Sequence, residues 1–300
     1  MAIVESALLL GLQYAMLALG VYITFRVLNI PDLTVDGSFT LGAAVSAVLG
    51  AAGHPYLGLL AALACGALAG GVTGFLQTKA GIHPILAGIL TMSGLYTVNI
   101  TVMGAPNVSL IGKPRFYEPL EALLPNAGKN IPEILAVLLV CVAVTAVLIL
   151  FFRTVFGLCI RATGNNEDMV RASSINTNAT KVTALCMANA LVGLSGALLA
   201  QTSGYADING GNGMIVVGLA SVIIGEVLFG KRSITVGLIS AVVGSVGYRL
   251  ILALALESEW FTANALKLVS AVIVGITLSV PAIRAAVARR RTQRGAKRHA

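Results

Sequence analysis

Residues 131–152 read IPEILAVLLVCVAVTAVLILFF, twenty-two positions with a single charge at Glu133. At a rise of about 1.5 Å per residue, a helix of this length crosses the roughly 30 Å hydrocarbon core of a bilayer. The stretch therefore reads as a membrane-spanning helix, and the rest of the chain shares its character. Of 300 residues, 57% are hydrophobic and 11% charged, whereas soluble domains average about 25% charged; mean hydropathy is +0.91. Leu, Ile, Val and Ala fill long runs without the alternation of an outer-membrane barrel. Soluble domains and barrels are excluded, and the expected class is an all-α polytopic membrane protein.

Apolar runs near 6–25, 34–50, 56–78, 85–103, 131–152, 181–202, 214–229, 234–254 and 263–283 give nine spans. An odd count puts the termini on opposite sides, and basic residues choose the orientation. With the C-terminus inside, inner loops and ends hold fifteen of the 20 Lys and Arg residues, among them Arg26, Lys79, Arg153, Lys231, Arg232 and the cluster from Arg284 to Arg298. Outer loops hold Lys113, Arg115 and Lys129, while Arg249 and Lys267 fall within spans. The expected topology is N-out/C-in. It accounts for the net charge of +8 without a nucleic-acid partner. Met1 to Glu5 lack a basic leader region, so the first apolar run is expected to stay as the first span. A transmembrane domain over 1–283 is followed by a basic cytoplasmic tail, 284–300, suited to anchoring on anionic lipid.

Two spans, 34–50 and 214–229, are short and open on Asx and Gly: Asp36-Gly37-Ser38, and Asn209-Gly210-Gly211-Asn212-Gly213. Setting Asp36-Gly37 over Asn212-Gly213 brings Gly42 over Gly218. The spans that follow, opening at Gly58-Leu59 and Gly237-Leu238, then fall in similar register. These are the second and seventh spans, and a shift by an odd number reverses orientation. The pattern suggests a 4+1+4 inverted repeat whose translocation path is lined by broken helix ends. The competing reading is that any two glycine-rich helices resemble each other. Runs such as Gly66-Ala67-Leu68-Ala69-Gly70-Gly71 with Gly74, and Gly193-Leu194-Ser195-Gly196-Ala197, predict close backbone packing.

The inner loop 153–180 predicts a capped helix of about ten residues. Asn165 or Asn166 can cap it, Glu167 and Asp168 stand in the first turn where the helix dipole favours anions, and Asn176 suits a left-handed stop before Asn178 caps the next span. Too short to be stable alone, it must dock. Met169 and Val170, apolar among charges, suit either a groove in a cytoplasmic partner or the bilayer surface. The extracytoplasmic loop 104–130 carries Pro106, Pro114, Pro119 and Pro125, which predict ordered or extended chain rather than helix.

No engine is visible in the chain. Gly225-Glu226-Val227-Leu228-Phe229-Gly230-Lys231-Arg232 mimics a phosphate loop, but Arg232 stands where magnesium needs Ser or Thr, and the stretch leaves a span rather than a strand. Asp36, Glu226, Arg249 and Lys267 all lie within reach of a span end and suit snorkelling better than a proton relay. Cys65, Cys141, Cys159 and Cys186 stand singly and read as small hydrophobes. His54, His83 and His299 stand apart from other ligands, so neither metal nor cofactor is expected. No catalytic side-chain pairing appears.

Arg161-Ala162-Thr163-Gly164-Asn165-Asn166 through Ile175-Asn176, then Lys181 and Leu191-Val192-Gly193-Leu194-Ser195-Gly196-Ala197-Leu198, resembles the branched-chain amino acid and simple-sugar branch of ABC importer permeases. Leu33-Thr34-Val35-Asp36-Gly37-Ser38-Phe39 and His83-Pro84-Ile85-Leu86-Ala87-Gly88-Ile89-Leu90-Thr91-Met92 resemble the sub-branch that accompanies tryptophan- or tyrosine-type binding proteins. The likeness covers roughly 5–282. It implies a permease in the bacterial inner membrane, two copies forming the pore, a substrate-binding lipoprotein or periplasmic protein outside, and a separate ATPase dimer inside. The ATPase would dock on Arg161, Thr163, Gly164, Asn165, Asn166, Glu167, Asp168, Met169, Arg171, Ile175 and Asn176. One departure is Ser93-Gly94, where bulkier residues belong to the family pattern, and it leaves the solute open.

For an aromatic or branched-chain amino acid, the path needs polar groups at broken helix ends: Asp36, Ser38, Asn99, Asn189 and Gln201, with the amides near Gly213 available to a carboxylate. Each alone also suits a helix–helix hydrogen bond. The two function classes in play are an ATP-driven importer permease working by alternating access, and an ion-coupled secondary transporter or channel.

Overall fold

The computed structural model describes residues 2–123, 130–230, 233–257 and 275. The expected ninth span at 263–283, the tail 284–300 and the cations Lys129, Lys231, Arg232 and Lys267 lie outside these residues. The described chain runs α1 (Ala2–Tyr22, prolonged by a wider π turn at Ile23–Val27), α2 (Val35–Ala51), α3 (Pro55–Thr78), α4 (Pro84–Met103), β1 (Asn107–Ser109), α5 (Glu118–Leu123) and α6 (Ile131–Phe151). It continues with α7 (Val155–Asn165), α8 (Glu167–Ala172), α9 (Thr177–Ser203), β2 (Tyr205–Asp207), α10 (Met214–Phe229) and α11 (Ile234–Glu257). Six of these, α1, α3, α4, α6, α9 and α11, are long and apolar enough to cross a membrane, whereas α2 and α10 are shorter. The fold is all-α and polytopic.

Local chemistry sets the ends. Pro55, Pro84 and Pro132 stand in the first turns of α3, α4 and α6, where a missing N–H is harmless. Gly104 and Gly204 take left-handed C-caps after α4 and α9. In one bundle α9 lies against α2 and α3, with α4 on α2; in the other α1 lies against α11 and α10, with α6 on α1. The α1–α9 contact joins them through Gln13 Nε2 donating to Thr202 Oγ1 at 2.8 Å and Ser195 Oγ donating to Gln13 O at 2.8 Å.

Pairings along the helices fix their directions. Ser38 meets Asn189 and Gly42 meets Gly193, so α2 runs parallel to α9. Gly20 meets Ala188 while Gln13 meets Thr202, so α1 opposes α9. Gly11 meets Val246 and Tyr22 meets Gly237, so α11 opposes α1; Gly225 meets Ser240 and Gly244 meets Ser221, so α10 opposes α11. It follows that α10 opposes α2. Each short helix is preceded by a segment that turns back into the bundle, 28–34 before α2 and 204–213 before α10. Segment 204–213 is anchored by a small ladder in which Asn107 pairs with Asp207 and Ser109 with Tyr205.

That ladder was not expected, and the expectation for loop 104–130 is corrected at Glu118–Leu123, which is helical. Pro119 falls in the first turn, the one part of a helix that tolerates its ring.

Glycines let α9 approach its neighbours: a Cβ on Gly42 would lie 1.9 Å from Gly193 O, and one on Gly196 would lie 2.0 Å from Phe39 O. Gly42→Val is therefore expected to lower stability by about 3 kcal/mol or more, read as loss of a monodisperse, cooperatively melting protein in detergent. Gly94→Ala, whose Cβ meets nothing within 4 Å, should leave the melting temperature unchanged or slightly raised.

Candidate functional site

The short helices meet at their N-terminal ends. Gly213, at φ +87°, caps α10 and brings no side chain of its own to the free amides of its first turn. Asp36, from the first turn of α2, supplies the missing acceptor: Gly213 N donates to its Oδ2 at 2.9 Å and Ile215 N to its Oδ1 at 2.8 Å. One carboxylate thus caps a helix from the opposite half of the chain, where the N-terminal end of the dipole favours an anion. Asp36 stands at a span end, in the first turn of α2, and is held there by those two amides. Arg249 likewise lies over the Tyr14 ring, its Cζ 4.1 Å from the centroid, instead of snorkelling. Arg26 and Glu226, by contrast, pair with each other at the far ends of α1 and α10.

Asp36 and Asn99 stand on one cleft of about 370 Å³, with Gly37, Thr40, Met92, Ser93, Tyr96, Ile208 and Asn212. Gly213 joins them through its bond to Asp36. Asn99 Nδ2 donates to Gly37 O at 3.2 Å. The other three residues proposed for the path lie away from the cleft. Ser38 Oγ donates to Asn189 Oδ1 at 2.7 Å, and Asn189 Nδ2 donates to Asp32 Oδ2 at 2.7 Å, all of it buried. Gln201 Nε2 donates to Ser46 Oγ at 2.9 Å and to Pro55 O at 2.8 Å, and its Oε1 accepts from Phe116 N at 3.3 Å. These are helix–helix bonds. Asp32, only 2% exposed, escaped sequence reading. The one available signal was a carboxylate directly after Pro31, in the turn that opens a short span.

At the opposite end of α10, the 153–176 segment folds as two helices rather than one. Thr154 caps α7 by accepting from Gly157 N, and Asn165 ends it; Asn166 Oδ1 caps α8 by accepting from Met169 N at 3.0 Å. Asn176 is not the left-handed stop. It caps α9 by accepting from Ala179 N at 3.1 Å, displacing Asn178 from that role, while Ser174 takes the left-handed conformation at φ +61°. Gly164 seats α7 on the end of α1, since a Cβ there would lie 1.9 Å from Val27 O. Thr163 Oγ1 and Thr180 Oγ1 are 3.0 Å apart, and Ile175 N donates to Val170 O at 3.3 Å. Glu167 accepts from Arg171 at 2.8 Å and from Lys181 at 2.5 Å. Burial pushes its carboxyl up, but those two cations outweigh burial and hold it below the usual range. Asp168 and Met169 are exposed, and Val170 is buried. Arg161 lines a second cleft with Tyr22, Arg26, Asn165 and Glu226.

Residues 3–280 match the family described as "Branched-chain amino acid transport system / permease component". The chain belongs to this family of ABC transporter permeases. The permease is 34% identical, over 90% of its own length and 88% of the other's, to a tyrosine transport system permease protein of Clostridioides difficile. It is 27% identical to the ribose import permease of Escherichia coli over 70% of its length and 65% of the relative's. Its fold is similar to that of PsaBC from Streptococcus pneumoniae in complex with Fab, with a TM-score of 0.53 at 14% identity, covering 90% of this chain and 89% of that one. The permease is a multi-pass inner-membrane importer subunit for amino acids or sugars, not an enzyme. Family membership implies a separate ATPase and a substrate-binding protein.

Asp36→Ala strands two amides and is expected to destabilise the permease by about 1–2 kcal/mol, seen as a lower melting temperature, with Asp36→Asn in between. Because the folded-state Glu167 carboxyl titrates below the usual 4.5, its contribution is complete above that pH and is lost as pH falls through its lowered value. The protection factors of amides 165–176, which divide out the intrinsic pH dependence of exchange, should therefore hold from pH 7 to about 4.5 and fall only below it. Lys181→Met should shift that onset upward.

Proposed function

We propose that two copies of this permease, each N-out/C-in, import an aromatic or branched-chain amino acid by alternating access. A substrate-binding lipoprotein or periplasmic protein delivers the solute, and an ATPase dimer docks on α7 and α8. The observation that carries the reading is the Asp36 cap. Two oppositely directed short helices meet at one carboxylate beside a polar cleft, which is how a path with broken helix ends is built. The tyrosine relative supports an amino acid as cargo.

In this reading the exposed Met169, with Asp168 and the amides of Asn165 and Asn166 around it, is the face presented to the ATPase. Closure of the ATPase pair on ATP displaces α8, and Glu167–Lys181 carries that displacement into α9. The seat of Gly164 on Val27 carries it into α1, and Arg26–Glu226 carries it on into α10. Both bundles are therefore engaged by one loop.

The test is reconstitution in proteoliposomes with the cognate ATPase and binding protein. Met169→Glu and Asn166→Ala are each expected to lower solute-stimulated ATP hydrolysis by about tenfold, the loss of roughly 1.4 kcal/mol of coupling. Uptake by the purified permease alone, driven by a sodium or proton gradient, would overturn the reading.

A further inference from the structure

The cleft between α2, α4 and the start of α10 has a chemical bias that its place in the fold does not explain. Asn99 is 1% exposed, and its amide hydrogen bond to Gly37 O fixes which way the side chain faces. Its Oδ1 is left buried without a partner, on a wall of the cleft. A buried acceptor with nothing donating to it is a standing vacancy for a donor. Across the cleft, each Asp36 oxygen accepts one backbone amide, which leaves about half of the carboxylate's four lone-pair directions free. The α10 dipole places only about half a positive charge at that carboxylate, so the cleft keeps a net negative character. No Lys, Arg or His is among its lining residues. Beside Thr40, Ser93, Ile208 and Asn212, the wall carries Tyr96, 54% exposed, and Met92, a polarisable surface suited to a cation and to the apolar body attached to it.

We propose that this cleft holds the protonated amino group of the transported solute, so that cargo must carry an ammonium. The ammonium donates to Asn99 Oδ1 and to the Asp36 carboxylate, and its side chain lies on Tyr96 and Met92. This rests on the amino-acid import reading and narrows it: a neutral polyol offers hydroxyl donors but leaves the Asp36 charge unpaired. The Ser93-Gly94 departure from bulkier residues fits, since Ser93 borders the cleft and Gly94 has open space beside it.

The experiment measures uptake of radiolabelled tyrosine, leucine and ribose by the full transporter in proteoliposomes, with binding protein loaded in excess. Ser93→Lys places a tethered ammonium at the subsite, and Ser93→Met places a side chain of similar length without charge. Tyrosine or leucine uptake is expected to fall by about tenfold or more in Ser93→Lys while Ser93→Met stays within about threefold of wild type. Asn99→Leu, which removes the acceptor, should lose uptake to a like extent. Equal block by Lys and Met means that the cleft is only a steric bore, and no block by either means that the solute does not pass it; both overturn the subsite while leaving amino-acid import standing. Wild-type uptake of ribose and of neither amino acid would instead remove the import reading itself, and the subsite with it.

Discussion

A helix that begins inside a membrane leaves amides with no water to bond, and every such group must find a partner in the protein. The Asp36 carboxylate supplies such a partner for two amides of the first turn of α10, and much of the architecture follows from it. For Asp36 to arrive there, α2 must begin in the interior as well, so segment 28–34 turns back into the bundle and is held by its own buried bonds. Asp32 Oδ1 accepts from Thr34 N at 2.9 Å, and Thr34, Thr73 and Thr91 form a hydroxyl chain at 2.7 and 2.9 Å that ties the start of α2 to α3 and α4. The two short helices are thus each other's boundary condition. Removing the cap leaves α10 with an unsatisfied end, whereas removing the apolar packing around it leaves Asp36 with nowhere to reach.

The long helix α9 is what makes such a junction rigid. Asn189 stands thirteenth of its 27 residues, and from that one position it binds Asp32 and Leu185 O while accepting from Ser38. Glycines on either side bring α2 and α3 to within backbone contact of it, so these bonds form in tightly packed surroundings where they are strong. Gln201, farther along, repeats the device toward Ser46, Pro55 and Phe116. Polar residues in apolar helices were candidates for the path on chemical grounds. Packing decides otherwise for Ser38, Asn189 and Gln201, because helices without a hydrophobic driving force between them use such side chains to associate.

Much of this was legible in the chain because span length and glycine position are local signals. The short segments 34–50 and 214–229, and the Asx-Gly runs that open them, were readable, and setting Asp36-Gly37 over Asn212-Gly213 paired two stretches that come into contact. What sequence could not give is the partner of a side chain more than 150 residues away, as in Asp32 with Asn189. The β1–β2 ladder was hidden for the same reason, since three-residue strands from distant loops carry no periodicity. In the 153–180 loop the caps were recognisable in kind, but four asparagines competed for them. Backbone geometry assigned Asn166 and Asn176, and gave the left-handed position to Ser174, for which sequence offers only weak signals.

The two ends of α10 now have distinct fasteners, and their difference bears on how the permease moves. At one end Asp36 accepts two backbone amides; at the other Glu226 pairs with Arg26, whose side chain is 28% exposed. The ion pair joins α10 to α1 side chain to side chain, whereas the cap holds α10 by its own backbone amides. Motion that starts at α7 meets the ion pair first, because Gly164 rests on Val27, next to Arg26. A helix of sixteen residues is a rod of about 24 Å, so a small tilt released at its Glu226 end pivots about Asp36 and changes the cleft beside it. In the proposed cycle the carboxylate is the hinge and the ion pair is the catch, and the loop that receives the ATPase is built against the catch.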